Sequence, residues 1–453
     1  MLTPSIFKAN DIRGIVTGDD PEWNAEGARA LGAAFVEVLG LARGAFVLGR
    51  DMRTSGPELS QAFIAGATAH GADVIDIGLA STDELWFASG RLDVPGVQLT
   101  ASHNPAAYNG LKFCLAQAAP IDSALLTEIA RVAMGPPIEP TIRPGVCREV
   151  DLLTDYAAHL HALVPLQGLR RLTVVYDCGN GMAGHTAPAV LDPLNLELIG
   201  LFTELDGSFP NHPPNPLEPQ NLLDAQAAVR EHGADVGLVF DGDADRCFII
   251  DERGEVVSPS LITALIAQQE LAREPGGTIV INTITSRAVN QVVADAGGRL
   301  VISKVGHTSV KALMAQHDAI FGGEHSAHYY FRDFWGADTG MLAALHVLAQ
   351  LGRSTGTMSQ LVAELPSFAA SGELNSTVAD APATMDGVAA AFAGRGVHDR
   401  SDGLTIETDD WWVNVRPSNT EPLLRLNVEA RTPELMASLR DEALAVIRGG
   451  NDA

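Results

Sequence analysis

The sequence predicts a multidomain α/β protein: three similar α/β domains with mixed, mainly parallel sheets, followed by a smaller C-terminal α+β domain. Three observations carry this expectation. The chain has 453 residues, more than one ordinary domain of about 100–200 residues holds. Short β-branched or apolar runs alternate with Ala/Leu-rich stretches of helical period, the mark of βαβ units. Turn-rich punctuation recurs near residues 135–144, at 251–254 and near Pro366, where domain boundaries are expected. These divide the chain into 1–150, 151–254, 255–367 and 368–453.

Taken in order, residues 44–48 predict a strand, 58–69 a helix, 73–77 a second strand and 94–99 a third. In the second unit, 172–176 is a strand before the glycine-rich turn Gly179-Asn180-Gly181, and 236–240 a strand before an acidic turn. Residues 278–281 start the third unit, and 412–415 form a strand of the last.

Composition excludes several function classes. A formal net charge of −26 would repel nucleic-acid phosphates and anionic membranes over most of the surface. Neither partner is expected, and no obligate protein partner is implied. The four cysteines, Cys114, Cys147, Cys178 and Cys247, are too far apart for a zinc ribbon or a CxxC pair. With no targeting segment and no 18-residue apolar run, a cytoplasmic protein is expected.

Four motifs carry chemistry. Thr100-Ala101-Ser102-His103-Asn104-Pro105 places a serine at the carboxyl end of a strand, where open α/β sheets put active groups. Ser, Asn and Pro also form ordinary turns. His103 is a candidate base. Asp241-Gly242-Asp243-Ala244-Asp245-Arg246 presents three carboxylates that, in an extended segment, would face the same way. Two of them within about 4 Å repel by about 4 kcal/mol at an effective dielectric near 20, which a divalent cation relieves. All-oxygen ligands favour Mg²⁺ or Ca²⁺. A calcium loop, an aspartyl-nucleophile phosphatase site and a solvated acidic turn are the other readings, although Arg246 stands where a calcium loop needs glycine.

Gly322-Gly323-Glu324-His325-Ser326-Ala327-His328 offers groups that suit sugar hydroxyls, and is equally readable as a surface turn. His328 suits acid/base duty or a structural hydrogen bond. Arg416-Pro417-Ser418-Asn419-Thr420-Glu421-Pro422 combines a bidentate fork with further donors, a grip for a phosphate that is held and not cleaved; a plain turn is again the alternative.

Together with Asp11-Ile12-Arg13-Gly14 and Val305-Gly306-His307, these segments resemble, over essentially the whole chain, the α-D-phosphohexomutase family. The stretch 318–340 is most similar to its bacterial phosphomannomutase branch. The resemblance implies four domains around a central cleft and reversible interconversion of mannose 1-phosphate and mannose 6-phosphate through a hexose 1,6-bisphosphate, feeding GDP-mannose synthesis. It implies Ser102 as phosphoserine, with Mg²⁺ held by Ser102, Asp241, Asp243 and Asp245. Lys112, Arg246 and His328 would be the catalytic groups. Arg13, His307, Glu324, Ser326, Arg416, Ser418, Asn419 and Thr420 would bind substrate.

Two departures stand out: Asn10 where many relatives have Tyr, and no lysine in 282–287, where Ile284 or a neighbour replaces it. Glucose phosphates, as sole or second substrates, are the alternative within the family. A metal-dependent sugar-phosphate phosphatase and a non-catalytic sugar-phosphate sensor are the alternatives outside it.

Overall fold

The computed structural model describes residues 2–141, 143–417 and 423–449. Its strands form four sheets. In the first the order is Ile12–Ile15, Tyr108–Cys114, Gly96–Leu99, Ala45–Arg50, Asp73–Leu79 and Cys147–Glu149. Ala45–Arg50 is parallel to both neighbours, and antiparallel pairing is confined to the Tyr108–Cys114 side. Residues 135–144 lead to the edge strand Cys147–Glu149, which joins this same sheet.

The second sheet runs Val256–Val257, Cys247–Asp251, Val236–Phe240, Leu172–Asp177, Leu196–Leu201; the third runs Arg299–Ser303, Thr278–Asn282, Phe321–Gly323, Tyr329–Phe331, Ala337–Asp338. Both are mixed. Strands such as Val236–Phe240 and Thr278–Asn282 are buried along their whole length, which is why they read as unbroken apolar runs without alternation. In the fourth sheet every pair is antiparallel, and helices Ala381–Ala391 and Pro433–Gly449 accompany it. That is the expected α+β unit.

One buried apolar cluster runs continuously from Leu85 and Phe87 of the first unit through Val174 and Leu238 to Ile279 and Phe321 of the third. The C-terminal unit has its own core around Val388, Ile406, Val413 and Leu426. Polar contacts help to join it to the third: Asp402 Oδ2 accepts from Thr283 Oγ1 at 2.9 Å and from the Val305 amide at 2.8 Å. Among the described residues no helix is long and apolar enough to cross a membrane.

Candidate active site

Strand Gly96–Leu99 runs straight into the serine loop. Ser102 adopts φ 49°, a conformation L-residues avoid unless surroundings enforce it. Its amide donates to Thr100 Oγ1 at 2.8 Å. Its Oγ donates to Asp241 Oδ2 at 3.0 Å and lies 3.2 Å from His103 Nδ1. Serine and acidic motifs, 139 residues apart, thus meet.

The acidic segment is not extended, contrary to the sequence-based expectation. The Ala244 amide donates to the Asp241 carbonyl at 3.1 Å, and Ala244 takes φ 61°. The chain curls instead, and the curl brings one oxygen each from Asp241, Asp243 and Asp245 within 4.8 Å of one another. Gly242 permits this closeness, because a Cβ there would sit 2.5 Å from the Ser102 carbonyl oxygen.

Three buried carboxylates need counter-charge, and two cations supply part of it. Lys112 donates to Asp243 Oδ2 at 2.7 Å and Asp245 Oδ2 at 2.6 Å. Burial works to lower the Lys112 ammonium, but the two aspartates overcome it and hold it protonated well above its ordinary range. Arg246 Nε donates to Asp241 Oδ2 at 2.9 Å. Burial pushes the Asp241 carboxyl up to about 7 against that pull, whereas Lys112 outweighs burial at Asp243 and holds it far down. Asp243 Oδ1 and Asp245 Oδ1 remain buried with no hydrogen-bond partner among the described residues. Orphaned carboxylate oxygens on one side, with Lys112 on the other, fit a divalent cation.

A cleft of about 470 Å³ opens over this cluster. Of the predicted residues, Arg13, Ser102, His103, Lys112, Asp245, Arg246, His307 and His328 line it; Asp241 and Asp243 lie beneath. Burial first, then Arg246 and Arg13, lowers the His103 imidazole well below its ordinary range. Burial, reinforced by Lys311, lowers His307 to about 4. His328 Nδ1 is 3.0 Å from Ser326 Oγ, and its Nε2 is 3.7 Å from Asp245 Oδ1.

Other predicted residues stand apart from the cleft lining. Glu324 accepts from Tyr330 Oη at 2.6 Å and from Asn282 Nδ2 and the Gly306 amide, each at 3.0 Å. Arg416 Nη2 donates to Glu373 Oε2 at 2.7 Å. Ser418, Asn419 and Thr420 lie outside the described residues. Of the departures, Asn10 lines the cleft and its Oδ1 accepts from Thr308 Oγ1 at 3.1 Å, while Ile284 is buried.

Sequence reasoning missed several groups. Thr82 Oγ1 donates to Asp243 Oδ2 at 2.6 Å and its amide to the Asp243 carbonyl at 3.0 Å. Asp338 faces His328 and is paired with Lys311 at 2.7 Å. Buried Arg53 supports the serine loop from below. Its signal was local: an Asp-x-Arg, Asp51 to Arg53, directly after a strand.

Comparison with known proteins agrees with this geometry. Residues 4–134, 154–254 and 258–368 match phosphoglucomutase/phosphomannomutase alpha/beta/alpha domains I, II and III, and 373–446 match the C-terminal domain. The chain belongs to the phosphoglucomutase/phosphomannomutase family. Members of it include a Xanthomonas campestris pv. campestris protein named for phosphohexose mutases, 40% identical over 99% of this chain and 100% of its own. An Escherichia coli phosphomannomutase is 39% identical over 99% and 100%. A crystal structure of a phosphoglucomutase/phosphomannomutase family protein from Burkholderia thailandensis superposes with a TM-score of 0.90 at 33% identity, covering 100% of this chain and 99% of that one. As a family member the chain is an enzyme of the isomerase, intramolecular phosphotransferase class, and its buried aspartate triad can hold a metal ion.

Proposed function

We propose that the protein is a phosphomannomutase, interconverting mannose 1-phosphate and mannose 6-phosphate through a hexose 1,6-bisphosphate that also serves as activator, and feeding GDP-mannose synthesis. The observation that carries the reading is the contact of Ser102 Oγ with Asp241 beside the Lys112-bridged aspartates. Near-full-length relatives named phosphomannomutase support the sugar. The phosphohexose mutase and phosphoglucomutase names among relatives favour glucose phosphates as second substrates.

In this reading each unit, 1–150, 151–254, 255–367 and 368–453, contributes one loop. Mg²⁺, held by Asp241, Asp243, Asp245 and the Ser102 phosphate, would shield the charge on the transferring group. A sugar hydroxyl attacks phosphorus; the new O–P bond forms, the Ser102 Oγ–P bond breaks, the hydroxyl proton passes to a base and Oγ takes one up. Lys112, kept as an ammonium, suits the donor at Oγ. His328, in the lining of the cleft, suits the acceptor, with neutral His103 beside Ser102 assisting. Arg246 steadies Asp241 and the phosphoryl group, a matter of positioning and charge stabilisation. His307, Glu324 and Ser326 would hold the sugar, and Arg13 the reacting end. Arg416 with Ser418, Asn419 and Thr420 would grip the phosphate that stays. The separate C-terminal core supports a closure that brings Arg416 in and excludes water.

Free Cys114, Cys147, Cys178 and Cys247 suit a cytoplasmic setting, with small hexose phosphates as the partners. Phosphorus NMR with mannose 1-phosphate, Mg²⁺ and a trace of hexose 1,6-bisphosphate tests the function. Mannose 6-phosphate without inorganic phosphate is expected. Release of inorganic phosphate would identify a phosphatase instead.

A further inference from the structure

Arg53 is 1% exposed, and four of its guanidinium contacts go to backbone carbonyls of the serine loop. Nη2 donates to the carbonyl oxygens of Ser102 at 2.8 Å and Asn104 at 2.6 Å. Nη1 donates to those of Pro105 at 2.8 Å and Tyr108 at 2.9 Å. Nε donates to Asp51 Oδ2 at 3.2 Å. A guanidinium has five N–H donors in a planar fork, so none is left over. The Phe209 ring, from the second unit, covers it with its centroid 5.1 Å away. Asp51 in turn is fixed at the end of the central strand, its amide donating to the Leu99 carbonyl at 2.9 Å.

The consequence is geometric. Four carbonyl dipoles of the loop 102–108 point at Arg53, which does not line the cleft, and Ser102 takes a left-handed conformation with its Oγ on Asp241. Released, a carbonyl oxygen could turn into the cleft and face the phosphoryl dianion. We infer that Arg53 is a positioning residue for phosphoryl transfer: it touches neither sugar nor phosphate, and fixes the attitude of Ser102 Oγ through the loop carbonyls. This rests on Ser102 being the phosphorylated residue.

The test is Arg53→Lys in the full-length enzyme. An ammonium has three donors and no fork, so it cannot hold four carbonyls and Asp51 together. Circular dichroism first establishes folding; kcat and KM for mannose 1-phosphate follow. A misplacement of about 1 Å costs about 100-fold, so kcat is expected to fall about that much while KM stays within about threefold, because substrate is gripped elsewhere. Methylguanidinium added to Arg53→Gly should recover at least about tenfold of the lost kcat. A kcat for Arg53→Lys within about threefold of wild type, or no recovery by methylguanidinium, overturns the inference. Should these variants not fold, isosteric Asp51→Asn carries the test, and an unchanged kcat in it is the overturning result. Phosphate label from a hexose bisphosphate is mapped in wild type alongside. No label on Ser102 overturns the phosphoserine reading itself, whereas label on Ser102 with normal turnover in Arg53→Lys overturns only the role of Arg53.

Discussion

Replacing Lys112 with methionine removes one charge and leaves the stem, so its effect is electrostatic. Lys112 Nζ lies 2.7 Å from Asp243 Oδ2 and 2.6 Å from Asp245 Oδ2, and those residues are 0% and 1% exposed. Deleting one partner of a buried pair costs about 3–5 kcal/mol, because the other charge stays buried and unpaired. At about 2–4 °C per kcal/mol for a unit of 150–250 residues, Tm in EDTA should fall by about 6–20 °C. Saturating Mg²⁺ gives the carboxylates a new counter-charge, so most of that deficit should disappear. Mutase turnover should not return with it if Lys112 is the proton donor, as proposed. Differential scanning calorimetry in EDTA and in Mg²⁺, with turnover on the same samples, reads all three. A wild-type Tm in EDTA, or the same deficit with and without Mg²⁺, would refute the reasoning.

Other predictions concern the surrounding groups. Thr82→Val removes the hydroxyl that steadies Asp243; a buried hydrogen bond to a charge contributes about 1.5–3 kcal/mol, and calorimetric titration should show weaker Mg²⁺ binding, an unchanged affinity counting against it. Asp243→Asn should lower rate and shift the magnesium titration together; an unmoved titration removes Asp243 from the ligands. Asp83 sits between three units, accepting from Thr339 Oγ1 at 2.6 Å and Tyr156 Oη at 2.7 Å, and burial pushes its carboxyl from 3.8 up to about 7. The protonated form therefore favours folding: its contribution is full below pH 3.8 and is lost as pH rises through about 7, at up to about 1.4 kcal/mol per pH unit. Asp83→Asn cannot titrate, so relative to wild type its Tm should improve between pH 5 and pH 8; an equal difference at both would contradict this.

Much of the site was legible because its pieces are local. Ser102, Asp241 and Glu324 each follow a buried strand whose apolar run announces it, and polar residues at a strand's carboxyl end stand out. The four-unit order was legible from the same alternation. What depended on through-space contact was not. The curl of the acidic loop turns on Ala244 at φ 61°, and alanine carries no turn signature. Thr82 reads as the first residue of a helix, and only the packing of that helix on the acidic loop gives its hydroxyl a partner. Lys311 and Asp338 sit 27 residues apart, on a helix and an edge strand, with nothing in either neighbourhood to pair them. The pairing of Arg416 with Glu373 was not legible either, because Glu373 lies 43 residues away with no signal in either neighbourhood to join them.

The central claim is that phosphate passes through Ser102. The direct measurement is to incubate the protein with Mg²⁺ and mannose 1,6-bisphosphate carrying ³²P, then digest it and locate the label, with Ser102→Ala in parallel. Label confined to the peptide containing Ser102, absent from a folded and inactive Ser102→Ala, is the predicted result. Label elsewhere, or wild-type turnover in Ser102→Ala, would contradict it.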